Sequence, residues 1–246
     1  MQRQEMRLQL RSSLRRVTSL TRVRSCGLPL GGAMLVRSRN GIHHFAGMAT
    51  CGYGWSCPVC SAKIRHHWAS EARRAVVAAL AQGMSALFVT RTVPHTAEDA
   101  LGVTLDLLAE GRWYVANQKV VKDVRRAAGY VGGIAAKEIT YGTSGWHPYT
   151  HDIEFFAGEL SLADFAAVST VHYEYLHQFY CRHGFGGLSR QHGVQIEQVR
   201  LDHHTPLLPL AMLLQKWVPH GRPVASRARI LPSSPMERFG ARQIRN

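Results

Sequence analysis

The sequence predicts an α+β fold, a layered sandwich on an antiparallel sheet, and three observations carry that expectation. Apolar, β-branched runs at 84–95, 130–142 and 146–156 read as strands, the last two separated only by Thr143-Ser144-Gly145. Stretches with apolar residues at helical spacing stand between the other strands. Strands that adjoin through a short turn, with helices elsewhere, settle as a sheet carrying helices on its surface. A chain of 246 residues can bury a full core, so one domain with appendages is the natural organisation.

The elements follow in order. Residues 1–25 hold seven arginines against one glutamate. Leu8, Leu10, Leu14, Val17 and Leu20 make only an imperfect helical stripe, and a flexible basic arm is expected. Its Arg-rich, acid-poor composition suits an organelle transit peptide as well as a nucleic-acid-binding arm, while the lack of an apolar core segment excludes a secretory leader. Residues 32–47 read as two short apolar runs around Asn40-Gly41, a pair that accepts the positive φ angles of a two-residue hairpin turn. Ile64, Trp68, Ala75 and Ala79 share one face of a helix over 61–82, with Gly83 as its terminator.

The strand at 84–95 stops at Pro94. Thr96, with Asp99 three residues on, is expected to start a helix carrying Leu101, Leu105 and Leu108, and a second helical stretch runs to Arg126 and ends near Gly129. Strands over 130–142 and 146–156 form an antiparallel pair. Ser161 and Asp164 open an amphipathic helix through Phe165, Val168, Tyr175, Leu176 and Phe179, and GVQIEQVRL at 193–201 alternates like a half-buried strand. Beyond residue 202 one short helix over 207–217 is expected, followed by a Pro-, Ser- and Arg-rich tail read as disordered.

Charge bounds the partners. The formal net charge is +14, and residues 219–246 repeat the excess of the N-terminus with six arginines against one glutamate. Lysines and arginines that displace counterions from phosphates favour a polyanion, although a mildly basic body with two solvated ends reads the same numbers. No apolar run of about 18 residues exists, so a membrane-spanning helix is not expected.

Two clusters carry chemistry. Cys26, Cys51, Cys57 and Cys60 lie in one N-terminal block, and Cys57-Pro-Val-Cys60 lets two thiolates face one tetrahedral ion. Structural zinc is the leading reading. Redox chemistry and plain buried thiols are the alternatives, with no thioredoxin-like βαβ pattern around the motif. Cys181 reads as a core residue. In Trp146-His147-Pro148-Tyr149-Thr150-His151, alternation along a strand points His147, Tyr149 and His151 to one face. Glu138 reaches the same patch if its strand pairs through the turn. His147, His151 and Glu138 are then candidate ligands for a divalent metal that polarises a phosphate, although with fourteen histidines in the chain chance pairs are expected. Lys63, Arg65, Arg73 and Arg74, on the 61–82 helix, are candidate DNA-binding residues.

Four ordered blocks over about residues 24–151 carry a resemblance: RSCGLPLG, FAGMATCGYGWSCPVCSAKIRHHWASE, LFVTRTVPH and EITYGTSGWHPYTH. Together they resemble replication initiators of rolling-circle plasmids from Gram-positive bacteria, notably actinomycete types. The resemblance implies an HUH-type endonuclease: a central antiparallel sheet flanked by helices, over about 83–202, behind a cysteine module and helix over 26–82. It implies a bacterial cytoplasmic protein that binds single- and double-stranded origin DNA and works with the host replication machinery, away from membranes. With Mg²⁺ or Mn²⁺, a tyrosine hydroxyl would attack the phosphodiester, leaving a phosphotyrosyl bond and a free 3′-OH.

Two departures stand out. The family strand reads G-W-H-P-H-x-H; here Tyr149 replaces the first histidine of the metal pair and His151 matches the second. The family's nucleophile sits in a Tyr-x-x-Lys-like setting, matched here by Leu213-Leu214-Gln215-Lys216. Tyr173, Tyr175 and Tyr180 are the weak remaining candidates. A reading-frame shift after about residue 200, or truncation, accounts for both the lost tyrosine and the decayed segment over 203–246. A catalytically degenerate DNA-binding relative is the alternative function.

Overall fold

A computed structural model describes residues 2–200, so the short helix and disordered tail expected over 203–246, the Leu213–Lys216 segment included, lie outside the described residues. The chain forms two compact units, divided between Ser70 and Glu71. The division falls inside a helix rather than at residue 82, and the first 25 residues go with the cysteine module. Among the described residues no helix is long and apolar enough to cross a membrane.

In the first unit, helix α1 spans Gln2–Val17 and helix α2 Thr21–Ser25. This corrects the flexible basic arm expected over 1–25. The helices are fastened by their own arginines: Arg15 Nη2 donates to the Cys26 carbonyl at 2.5 Å and Arg24 Nη2 to the Thr18 carbonyl at 2.9 Å. Strands β1 (Leu35–Arg39) and β2 (Ile42–Ala46) form the expected hairpin, and Asn40 and Gly41 take φ of 52° and 74° at its tip. Helix α3, Pro58–Ala81, begins directly after Cys57. The core of this unit is small: Val23 and the four cysteines, with Leu14, Val59 and Ile64 packed against them.

The second unit carries a four-stranded sheet in the order β4-β5-β3-β6, antiparallel at every pairing: β3 is Ser85–Thr92, β4 Tyr130–Gly142, β5 Gly145–Phe156 and β6 Val194–Gln198. The α+β class and the antiparallel sheet therefore stand as expected. Helices α4 (Leu101–Asn117), α5 (Lys119–Ala127) and α6 (Leu162–Arg182) form a layer on one face. Gly111 lets α4 approach α6 closely, since a Cβ there would lie 2.9 Å from Leu176 Cδ1. The Ser161 cap forms as expected, accepting from the Asp164 amide at 3.0 Å. The Thr96 cap does not. Thr96 donates to Asp99 through its amide (2.6 Å) and its hydroxyl (3.1 Å), closing a turn, and α4 starts only at Leu101.

The helix-facing side of the sheet buries charge among apolar residues. Arg91 on β3 is 3% exposed and bridges Asp152 and, at 3.1 Å, Glu154, both on β5. Arg112 from α4 reaches Asp152 at 3.1 Å, Arg125 from α5 reaches Glu154 at 3.3 Å, and His172 from α6 reaches Glu154 at 3.4 Å. Arg91 Nη2 donates to His172 Nδ1 at 2.8 Å, so that nitrogen keeps its lone pair and the imidazole is neutral. Burial lowers the His172 pKa in the same direction. Burial also pushes Glu154 up, but the His172 Nε2–H that faces it and the Arg125 and Arg91 guanidiniums outweigh it and hold the carboxyl well below its ordinary range. Asp152 is likewise held down, against its burial, by Arg112 and Arg91.

Removing one member of such a network leaves an uncompensated buried charge, so Arg91→Met should destabilise the second unit by about 3–5 kcal/mol in denaturant titration. Because both carboxyls are depressed in the folded state, their contribution is complete above about pH 4–5, where unfolded Asp and Glu titrate. It is lost as pH falls through the depressed values. Melting temperature against pH should therefore drop on the acid side in the native chain, with a flatter profile in Arg91→Met.

Candidate functional site

Two constellations emerge, one in each unit. In the first, the four cysteine sulfurs lie within 4.8 Å of one another, and all four residues are buried. Cys26 Sγ is 3.5 Å from Cys60 Sγ and 3.6 Å from Cys57 Sγ. A tetrahedral zinc with Zn–S near 2.3 Å requires sulfur–sulfur edges of about 3.8 Å, so the quartet has the size of such a site. The local sequence builds it. Cys57 accepts the first helical bond of α3 from Ser61 at 2.8 Å, which places Cys57 and Cys60 on either side of the opening turn.

Cys51 is brought in by the chain returning from the hairpin, and its sulfur accepts from the Tyr53 amide at 3.5 Å. Burial pushes the Cys51 and Cys26 thiols up. Cys60 is held down despite its burial, by backbone N–H groups of Gly52 and Cys51 and by the neighbouring thiols. Four buried sulfurs this close, with Cys60 favoured as a thiolate and Cys26 and Cys51 disfavoured by burial, call for a cation.

The second constellation is on β5, on the sheet face opposite α4, α5 and α6. His147, Tyr149 and His151 do share that face, with successive ring centroids 5.3 Å and 4.9 Å apart. Glu138 on β4 pairs directly with Tyr149, and its Oε2 lies 3.4 Å from His151 Nε2. Gly145 makes this pairing possible at the turn: it takes φ +82°, and a Cβ there would lie 2.8 Å from Ala97 Cα.

Three neighbours were not anticipated. Thr90 on β3 hydrogen-bonds His151 Nδ1 at 3.0 Å, Phe88 stacks on the same ring at 5.1 Å, and His95 meets His147 at 3.4 Å. The available signal was period two. Phe88 and Thr90 occupy alternate positions of β3, and Thr90 pairs with His151.

The predicted ligands separate accordingly. Glu138 and His151 come together, whereas His147 turns to His95, and burial together with His95 lowers its pKa. Among the described residues the cysteine quartet is the group of three or more classical ligands close enough for one ion. Tyr149 stands where a second imidazole would complete the other site. Its hydroxyl donates to Glu138, and burial, then the Glu138 charge, push its pKa up, so it offers a neutral phenol rather than a phenolate.

Tyr173, Tyr175 and Tyr180, on α6, belong to the helical layer behind the sheet. Tyr180 is fully buried, Tyr173 donates to the Leu188 carbonyl at 2.9 Å, and Tyr173 and Tyr175 pack against the same apolar cluster. None of the three is on the His151 face. On α3, Lys63 and Arg73 are exposed, Arg65 is half-buried, and Arg74 pairs with Glu71 at 2.6 Å. Two residues apart, Lys63 and Arg65 do not face the same side of the helix. Cys181, expected in the core, is exposed beside His177 at 3.5 Å.

No protein-family model and no solved structure matches the chain. Among curated proteins it is 34% identical over 160 residues to Protein rep of Streptomyces lividans, covering 53% of this chain and 34% of that protein. It is 32% identical over 155 residues to the neomycin resistance protein of Streptomyces cyanogenus, covering 53% of this chain and 36% of that protein. The chain thus spans about a third of the length of these curated relatives.

The cysteine geometry makes a direct forecast. Freshly purified protein should contain zinc by elemental analysis, and Cys57→Ser with Cys60→Ser should lose it together with ellipticity from the first unit. Since the raised Cys51 and Cys26 thiols must release protons to bind a cation, affinity should fall as pH falls. Metal-free protein with an unchanged fold would contradict the assignment.

Proposed function

We propose that the chain is a plasmid replication protein of rolling-circle type that binds DNA and cuts one strand by transesterification. The observation that carries this reading is the Glu138–His151 pair on the two adjoining strands β5 and β4, in a chain similar to a protein named for replication. The pair fits a divalent ion such as Mg²⁺ or Mn²⁺ with two protein ligands. The His151 Nε2 is buried without a hydrogen-bond partner and faces a carboxylate oxygen at 3.4 Å, and Mg²⁺ commonly takes few protein ligands beside water and phosphate.

Glu138 and His151 would hold that ion, which supplies Lewis-acid polarisation of the scissile phosphate. The chain's own residues do the orienting. Thr90 and Phe88 fix the His151 ring, and in the tautomer whose Nδ1–H donates to Thr90 the Nε2 lone pair would be left for the ion. Tyr149 donates to Glu138 and steadies its carboxylate. Cutting breaks the P–O3′ bond, forms a bond from phosphorus to an attacking hydroxyl, and leaves a 3′-OH from which the host replication machinery would extend. Because α6 keeps Tyr173, Tyr175 and Tyr180 behind the sheet, none of them is assigned the attack.

A second reading, a DNA-binding relative that does not cut, is favoured by Tyr149 standing in the place of the pair's first histidine. One experiment separates the two. The full chain is incubated with Mg²⁺ or Mn²⁺ and a supercoiled plasmid carrying the DNA that flanks its coding sequence. Relaxation with a covalent protein–DNA adduct, lost in His151→Ala, is the expected result, and mass spectrometry of the adduct identifies the attacking residue. Salt-sensitive binding without relaxation establishes the second reading, and no binding at about 50 mM salt defeats both. Tyr149→His should raise Mn²⁺ affinity roughly tenfold by calorimetry, by supplying the missing imidazole.

A further inference from the structure

The first unit is set apart by charge. From residue 6 to residue 70 the sequence contains no aspartate or glutamate, and residues 2–70 hold eleven lysines and arginines against Glu5 alone, a net of +10. Residues 71–200 hold twelve against thirteen acids, a net of −1. The basic character of the described chain is therefore a property of the cysteine module and not of the sheet that bears His151.

Within that module the β1–β2 hairpin is exposed along both strands, with only Ala46 half-covered. Its turn is tight, and its cross-strand pairs alternate between faces. Arg37 with His44 and Arg39 with Ile42 lie on one face; Val36 with Phe45 and Ser38 with His43 lie on the other. Val36, Ile42 and Phe45 are 63%, 70% and 62% exposed. The base of the hairpin is held firmly. Gly27 donates to the Ala49 carbonyl at 2.6 Å, Ala49 to Leu28 at 2.8 Å and Leu30 to Gly47 at 2.6 Å, so the ladder begins beside Cys26 and ends beside Cys51.

We propose that this hairpin is a groove-binding ribbon for duplex DNA, with Phe45 and Val36 on one face against base edges and Arg37 and Arg39, long enough to reach past the ribbon's edges, on phosphates. This rests on the reading of the chain as a DNA-binding replication protein. A two-stranded ribbon is one of the two elements that the major groove, about 12 Å wide, admits. The chemistry selects the occupant. Exposed apolar side chains mark an interaction surface, and interleaved arginines with no acid in the surrounding 65 residues make that surface complementary to a polyanion. A second copy of the same ribbon would bring like charges together. The cysteine quartet has a part here as the clamp that fixes where the ribbon starts.

The test is equilibrium binding of the full chain to a short mixed-sequence duplex across a salt series, comparing native protein with Arg37→Gln/Arg39→Gln and with Phe45→Ala. Loss of two phosphate contacts should lower the slope of log K against log salt by about 1.8 and weaken binding at least roughly tenfold near 0.1 M salt. Phe45→Ala should weaken binding with the slope unchanged, because no charge is removed. Zinc content and far-ultraviolet ellipticity should match the native chain in both variants.

Native affinity and slope retained in both variants would overturn the ribbon while leaving the replication reading intact. Failure of the native chain to bind any duplex would overturn that reading and the ribbon with it. Two controls also count against the proposal: single-stranded DNA losing affinity in the arginine variant while the duplex does not, or anionic phosphatidylserine vesicles doing so.

Discussion

The position of His151 depends on charge buried on the other side of its strand. Arg91 on β3 joins Asp152 and Glu154 on β5, and three helices send Arg112, Arg125 and His172 into the same cluster. An apolar seam tolerates small shifts, whereas a buried guanidinium between two carboxylates does not, because a displaced partner leaves a charge unpaired. With strand register fixed on that face, the opposite face follows. Thr90 must meet His151, and Glu138 must meet Tyr149, since adjacent residues on a strand point to opposite sides.

The first unit is held by different means. Its core is one valine and four cysteines with three partly buried aliphatic residues, too little apolar area to hold some seventy residues by burial alone. A cation bound by four thiolates would close that gap, and the same quartet fixes the root of the hairpin. Structure and charge therefore coincide: the unit that most needs a metal clamp is also the one that is nearly free of acids. In the second unit acids and bases balance, and its buried charges sit in the Arg91 cluster and around His151.

Much of this was legible in residue order. The alternating runs at 130–142 and 146–156 and the intervening glycine turn specified β4 and β5 nearly to the residue, and Asn40-Gly41 specified the hairpin tip. The Cys57–Cys60 spacing with two upstream cysteines pointed to one cluster, and the sulfurs converge as expected. The errors came where a local motif had two uses. Thr96 and Asp99 have cap spacing but spend their side chains on each other, and an imperfect leucine stripe over residues 8–20 underrated a helix fastened by arginine contacts to distant carbonyls.

By itself the sequence determined the α+β class, the order of strands and helices from the hairpin onward, the cysteine cluster and the shared face of His147, Tyr149 and His151, because each follows from periodicity or spacing along a short stretch. Only the tertiary structure decided which of those groups act together. It joined His151 to Glu138 and Thr90 and gave His147 to His95. It put the α6 tyrosines behind the sheet and left the hairpin bare. Those outcomes depend on strand register and on which face the helices cover, and both are settled by partners such as Arg91 and Glu154 that are 63 residues apart in the chain.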